Sequence, residues 1–337
     1  MADYVKVSVR SADGTTIGYR QYGGDGPGLI VVHGGMKAGQ HFAALVAALA
    51  DRFRVYVPDR RGRGLSGPHG DAYEMRREVE DMRALIAATG ARFLFGHSSG
   101  ALVGLRTALA TPALERVALY EPPLSVRGSA PVDWLPRFDR EIAAGRRTAA
   151  VVTALTAMGI EPALARFPRW LLTGVGAVGL RLERTHDDEV PIADLVPTMH
   201  FDIRLVQEMA DTTPDYAALR VPVLLLSGTK IPDYLDVAVR ELAAVLPDAR
   251  SVILDGLDHS GPEDDGRPLA VAAVLRDFFA DADAGAGAGA GASGGTGAGG
   301  GAGAGTDASV GASGGGVGVA SAGAGGSAAE VLPGDRA

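Results

Sequence analysis

A serine held between two glycines, Gly96-His97-Ser98-Ser99-Gly100, carries the densest chemical signal in the chain. Serine is a weak nucleophile until a base removes its proton, so a catalytic serine must stand at a turn that a base can reach. The run Phe93-Leu94-Phe95 before it reads as a short buried strand, and the apolar positions from Ala101 to Leu105 read as a helix. Only a few residues remain for the turn. Small residues at 96 and 100 let strand and helix approach closely while Ser98 takes a strained backbone conformation. This is a nucleophile elbow, and its chemistry is covalent acyl transfer. Glu121 follows the strand pattern Arg116-Val117-Ala118-Leu119-Tyr120, at the edge where open parallel sheets carry their active-site side chains. His259 lies in a loop just after the last strand pattern, Ala249 to Leu254.

The elements that must position these residues follow from the hydrophobic pattern. Val5-Lys6-Val7-Ser8-Val9 alternates apolar and polar residues, and Ser11-Ala12-Asp13-Gly14 turns the chain into Thr16-Ile17-Gly18-Tyr19-Arg20, an antiparallel hairpin. Leu29 to Val32 is a continuous run, as expected of a strand covered on both faces, and it ends at His33-Gly34-Gly35-Met36. Phe53 to Pro58 is another strand. Met75 to Thr89 spaces Val79, Met82, Leu85 and Ile86 among charges, an amphipathic helix stopped by Gly90. After Glu121 no strand pattern returns until Val221-Pro222-Val223-Leu224-Leu225-Leu226-Ser227-Gly228. The interval holds only helical patterns with Trp134, Phe138, Trp170, Val175 and Phe201. A helix from about Leu235 to Leu246 and a final one from Pro268 to Ala280 complete the pattern.

Together these motifs resemble the α/β-hydrolase family. The elbow matches its G-x-S-x-G, Asp59-Arg60-Arg61-Gly62-Arg63-Gly64-Leu65-Ser66 resembles its D-x-R-G-x-G-x-S loop, and Gly256-Leu257-Asp258-His259 resembles its G-x-x-H segment. The resemblance implies a mostly parallel sheet flanked by helices with an inserted helical cap. The core is then 1–121 and 221–281, the cap 122–220, and 282–337 a disordered Gly/Ala-rich tail. It implies Ser98 as nucleophile, His259 as base, and an oxyanion hole from the backbone N–H of Ser99 and of Gly35 or Met36. The Arg-rich loop is read as structural bracing rather than a phosphate site. His33 and the cap aromatics Trp134, Phe138 and Trp170 are candidates for the lining of an acyl pocket, although aromatic residues of a small helical subdomain also serve as its own core.

The acid is where the chain departs from the pattern. The family's usual G-x-x-D falls on Gly228-Thr229-Lys230-Ile231, with Ile231 at the acid position. Glu121 is the preferred acid. Asp233 is the alternative, although it and Asp236 suit the start of the following helix, where carboxylates favour the positive end of the dipole. The implied function is hydrolysis of an ester, thioester or lactone through an acyl-serine intermediate. Carbon–carbon bond hydrolysis, a biosynthetic cyclisation, or a hydrolase-like binding protein with little turnover use the same residues.

Composition narrows the rest. The 337 residues carry a net charge of −8 with both signs interspersed, so no nucleic-acid face is expected. There is no cysteine, which excludes disulfides and thiol catalysis. The seven histidines are scattered and no H-E-x-x-H occurs, so neither metal nor cofactor is expected. The apolar stretch from Trp170 to Leu180 is too short to span a bilayer, and the N-terminus lacks the pattern of a secretory signal. A cytoplasmic enzyme acting on a small, apolar acyl substrate is the expectation.

Overall fold

The computed structural model describes residues 3–183, 185–186 and 189–289. The strands are β1 (Tyr4–Arg10), β2 (Thr16–Tyr22), β3 (Gly28–Val32), β4 (Arg54–Pro58), β5 (Phe93–His97), β6 (Arg116–Tyr120), β7 (Val223–Lys230) and β8 (Ala249–Asp258). They form one sheet in the order β1-β2-β4-β3-β5-β6-β7-β8. The hairpin expected at the N-terminus pairs β1 with β2, Val9 opposite Ile17, and β2 pairs antiparallel with β4. All other pairings are parallel.

The helices are α1 (Ala43–Ala47), α2 (Met75–Thr89), α3 (Ser99–Ala110), α4 (Leu135–Ala143), α5 (Arg147–Met158), α6 (Arg169–Leu182), α7 (Ile192–Leu195), α8 (Met199–Glu208), α9 (Asp233–Val245) and α10 (Pro268–Gly289). Alternation along the central strands explains their placement. Ile30, Val32, Leu94 and Leu119 face one layer, where Met82 and Leu85 of α2, Leu102 and Leu105 of α3 and Leu242 of α9 pack. Leu29, Val31, Phe93 and Phe95 face the other, against Leu45 of α1 and Leu275 and Phe279 of α10. A strand covered on both sides has no polar face, which is why β3 and β5 read as uninterrupted apolar runs.

Between β6 and β7 the chain makes α4 to α8 and the 3₁₀ turns that join them, with a small core of their own that includes Trp134, Phe138, Ala150, Met158, Met199 and Ile203. At the other end, α10 runs to Gly289, past the boundary expected at 281. A helix already nucleated gains a hydrogen bond for each residue added, and the alanines there are strong helix formers. The rest of the Gly/Ala-rich segment lies outside the described residues.

Several histidines are buried, and this sets a pH dependence. Burial pushes the imidazoles of His33 and His97 well below their ordinary value of 6.5. His69, stacked on Phe201 at 3.6 Å between ring centroids, is pushed down to about 4 by burial and then by Arg63. An imidazole that binds its proton more weakly when folded favours the unfolded state once the pH drops through the ordinary value. Asp81, raised by burial to about 6, acts in the opposite sense, but only below that pH. Thermal stability is therefore expected to fall as pH is lowered from about 7.5 to about 6. His69→Phe, which keeps the ring stack and removes the titration, should flatten that slope in melting curves recorded across this range.

Candidate active site

The elbow forms because β5 ends directly at α3. Ser98 stands between them at φ 55° and ψ −126°, a conformation that L residues rarely adopt. The approach is close on both sides. A Cβ at Gly96 would lie 2.5 Å from the Gly100 carbonyl oxygen, and one at Gly100 would lie 2.4 Å from that of Val32. Backbone bonds hold the turn in place: Ser98 N–H donates to the Tyr120 carbonyl (2.9 Å), and Ala101 N–H to the Ser98 carbonyl (2.8 Å).

Adjacent β6 delivers Glu121, fully buried and also at positive φ (48°). Its Oε1 accepts the backbone N–H of Gly228 at the end of β7 (2.8 Å), and its Oε2 lies 2.6 Å from His259 Nδ1. On the other side of the ring, His259 Nε2 is 2.9 Å from Ser98 Oγ. Because a carboxylate only accepts, the ring proton belongs on Nδ1, which leaves the Nε2 lone pair free to receive the serine proton. Asp233 stands apart, exposed in the first turn of α9, and Asp236 pairs with Arg240.

Two residues that the sequence did not single out hold the histidine loop. His97 Nε2 donates to the carbonyl of His259 (2.8 Å), and the Tyr120 hydroxyl donates to that of Asp258 (2.7 Å). Their neighbours in sequence, Ser98 and Glu121, belong to the line they support, which is the only signal that could have pointed to them.

Gly35, Met36 and Ser99 line the same cavity as Ser98 and His259. Met36 adopts φ 53°, and a Cβ at Gly34 would lie 2.7 Å from that of Ser98, so this loop lies directly against the elbow. The N–H of Ser99, first residue of α3, has no intrahelical acceptor. Its hydroxyl donates to Asp202 Oδ1 (2.8 Å) and accepts from Arg60 Nη1 (3.0 Å).

Asp202, from α8, also accepts from Arg60 Nη1 (2.7 Å) and from Arg63. Arg60 in turn forms a forked pair with Glu78 of α2 (3.1 and 2.9 Å). Burial alone would raise the Asp202 carboxyl, but the guanidinium groups of Arg63 and Arg60 hold it below its ordinary range. The loop arginines are thus paired inside the protein, and Asp59 caps the same loop by accepting from Gly39 N–H, Leu65 N–H and Arg20.

The expected lining is placed elsewhere. His33 is fully buried behind the cavity wall, its Nε2 accepting the backbone N–H of Arg60 (3.0 Å). Trp134 and Phe138 pack into the core of the helical insertion, because a subdomain this small needs its largest rings to bury its own interior. Trp170 lies on the outer surface, 73 % exposed. The cavity, about 330 Å³, is walled instead by aliphatic side chains, among them Val151, Leu155 and Met158 of α5 and Ile203 of α8, with Tyr234 of α9. Lys37 and the buried Glu263, 2.5 Å apart, form a charged pair in it. Among the described residues no group of His, Asp and Glu is arranged to hold a metal ion.

A predominantly parallel sheet whose carboxyl edge gathers a serine at an elbow, a histidine and a buried carboxylate defines an α/β hydrolase. The chain belongs to the alpha/beta hydrolase family, whose pattern it matches over residues 29–274. It is 30 % identical over 278 residues to N-formylmaleamate deformylase of Pseudomonas putida, covering 79 % of this chain and 94 % of the relative. It is 34 % identical over 120 residues to a pimeloyl-[acyl-carrier protein] methyl ester esterase of Xanthomonas campestris, covering 35 % of this chain and 45 % of that one. Among solved structures, an alpha/beta hydrolase from Sphaerobacter thermophilus superposes with TM-score 0.65 at 31 % identity, covering 81 % of this chain and all of that one. The protein is an enzyme, a hydrolase, and the reading of it as a binding protein without turnover gives way.

The Asp202 network yields a stability prediction. Asp202→Ala leaves Arg60 without one of its two carboxylates and Arg63 with no acidic partner in the interior, and removing one side of a buried ion pair typically costs about 3–5 kcal/mol. Denaturant unfolding should show a loss of that order. A change near zero would mean that water enters and solvates the arginines.

Proposed function

We propose that the enzyme cleaves an ester, thioester or lactone of a small, uncharged acyl substrate through an acyl-serine intermediate, with segment 122–220 as a cap over the site. The observation that carries this reading is the unbroken line Glu121–His259–Ser98, with distances of 2.6 and 2.9 Å, ending at the cavity.

In the first step His259 Nε2 takes the Ser98 proton as Oγ attacks the substrate carbonyl, and Glu121 stabilises the imidazolium that forms. The N–H groups of Ser99 and of Gly35 or Met36 receive the developing oxyanion, a donor of this kind being worth about 3–4 kcal/mol of transition-state stabilisation. His259 then protonates the leaving group, and afterwards activates a water that releases the acid.

The aliphatic walls favour an apolar acyl group. The one lysine in the lining, Lys37, is already occupied by Glu263, and Asp202 by Arg60 and Arg63, so among the lining residues no unpaired lysine or arginine waits for an anionic substrate. A second reading, hydrolysis of an N-acyl bond on the same residues, is favoured by the similarity to the deformylase along 94 % of that protein's length.

Ser98→Ala should abolish turnover of short aryl esters and labelling by a fluorophosphonate while leaving the circular dichroism spectrum unchanged. Normal turnover by this variant would end the serine mechanism. Glu121→Gln should lower kcat by roughly 10⁴-fold with a smaller effect on KM, because an amide holds the ring in the wrong tautomer and cannot stabilise the imidazolium. Asp233→Asn should stay close to the parent enzyme. If the Asp233 variant is the crippled one and Glu121→Gln turns over normally, the acid is misassigned. Parallel assays on an aryl ester and an aryl formamide distinguish the two substrate readings.

A further inference from the structure

Helix α6 is the outermost layer of the insertion. It packs on α5, whose opposite side walls the cavity, and Gly176 approaches so closely that a Cβ there would meet Thr148 at 2.6 Å. No residue of α6 is buried. From Trp170 to Leu180 the helix carries no charge, and its outer side presents Trp170 (73 % exposed), Val175, Val178 and Leu182 (72 % exposed), with Phe167 just before it. On the wheel these positions fall within one arc, a contiguous apolar ridge rather than scattered surface residues.

Beside the ridge runs a groove between α6 and the α4–α5 junction, to which Trp170 also belongs. It is lined by Arg137, Arg146, Arg147, Arg169 and Arg181, with Glu141 as its one carboxylate. Glu141 is already engaged by Arg137, Arg169 and Thr153, and Arg147 lies 3.6 Å from Asp194. Arg146 and Arg181 have no partner among the described residues. A chain of net charge −8 thus concentrates positive charge at one apolar face.

We infer that this face docks on an anionic phospholipid membrane, the arginine groove taking lipid phosphates while Trp170 and the α6 ridge enter the interfacial region. An apolar helix face bordered by arginine, with tryptophan at its margin, is the composition of helices that lie in the membrane plane. At 1.5 Å per residue the 14 residues of α6 reach only about 21 Å, short of the roughly 30 Å hydrocarbon core, so the helix lies on the bilayer and does not cross it. A second copy of the chain fits the face less well. A two-fold contact across α6 would set the arginine groove against itself.

The test is sedimentation of the full-length protein with vesicles of phosphatidylcholine alone and of phosphatidylcholine with about one third phosphatidylglycerol. Binding is expected only to the anionic vesicles, lost in high salt and accompanied by a blue shift of tryptophan emission that Trp170→Ser removes. Each arginine neutralised should weaken partitioning roughly five-fold, so Arg146→Gln with Arg181→Gln should lower it by more than ten-fold. Val178→Asp should abolish it. Far-UV circular dichroism and fluorophosphonate labelling of the variants verify that fold and site are intact, and binding by Ser98→Ala separates docking from catalysis. The inference is overturned by absence of binding, by equal binding to both vesicle types, or by light scattering that shows a dimer which Val178→Asp dissociates. The last result would assign the ridge to a second copy.

Discussion

Asp202 is a single carboxylate on which three other parts of the chain converge. The loop after β4 reaches it through Arg60 and Arg63, the start of α3 through the Ser99 hydroxyl, and α2 through the Glu78 that shares Arg60. All these groups are buried. In a low-dielectric interior such charges are tolerable only when fully paired, so the geometry of one fixes the geometry of the rest. The consequence reaches the chemistry. Ser99 follows Ser98 directly, and its side chain is held by a residue of the helical insertion, so the insertion and the elbow are mechanically one piece.

The second constraint is backbone strain along the carboxyl edge of the sheet. Met36, Ser98 and Glu121 all sit at positive φ although none is glycine, Ser98 and Glu121 directly after β5 and β6 and Met36 in the loop that follows the neighbouring β3. Conformations of this kind persist only where the surroundings over-determine them. Here the parallel ladder does so, through register pairs such as Val32 with Gly96 and His97 with Tyr120. Strain and hydrogen-bond line are two aspects of one arrangement. A strand that stopped in ordinary extended geometry would send Ser98 or Glu121 along the sheet instead of toward His259.

Glu121 shows how the two constraints combine. In this chain the residue after β6 carries the carboxylate, and Gly228 of β7 contributes its N–H to that carboxylate's second oxygen. Glu121 is thereby held at both oxygens, one by backbone and one by the ring of His259. Position 231 is isoleucine, and β7 meets this carboxylate through the backbone N–H of Gly228.

Much of this was legible from residue order. The two-sided apolar runs of β3 and β5, the hairpin, the glycine-flanked serine and the helical spacing of α2 depend on local chemistry: period, turn residues and close approach leave marks within a few residues of each other. What lay beyond reach were contacts between residues far apart in the chain. Asp202 is separated from Arg60 by 142 residues and from Ser99 by 103, and nothing in a helical pattern distinguishes a carboxylate that turns inward from one that faces water. The same holds for the aromatics of the insertion. Periodicity placed Trp134, Phe138 and Trp170 on helices, but whether a ring fills a core, walls a cavity or faces solvent depends on what packs against it, and only the tertiary structure decides that.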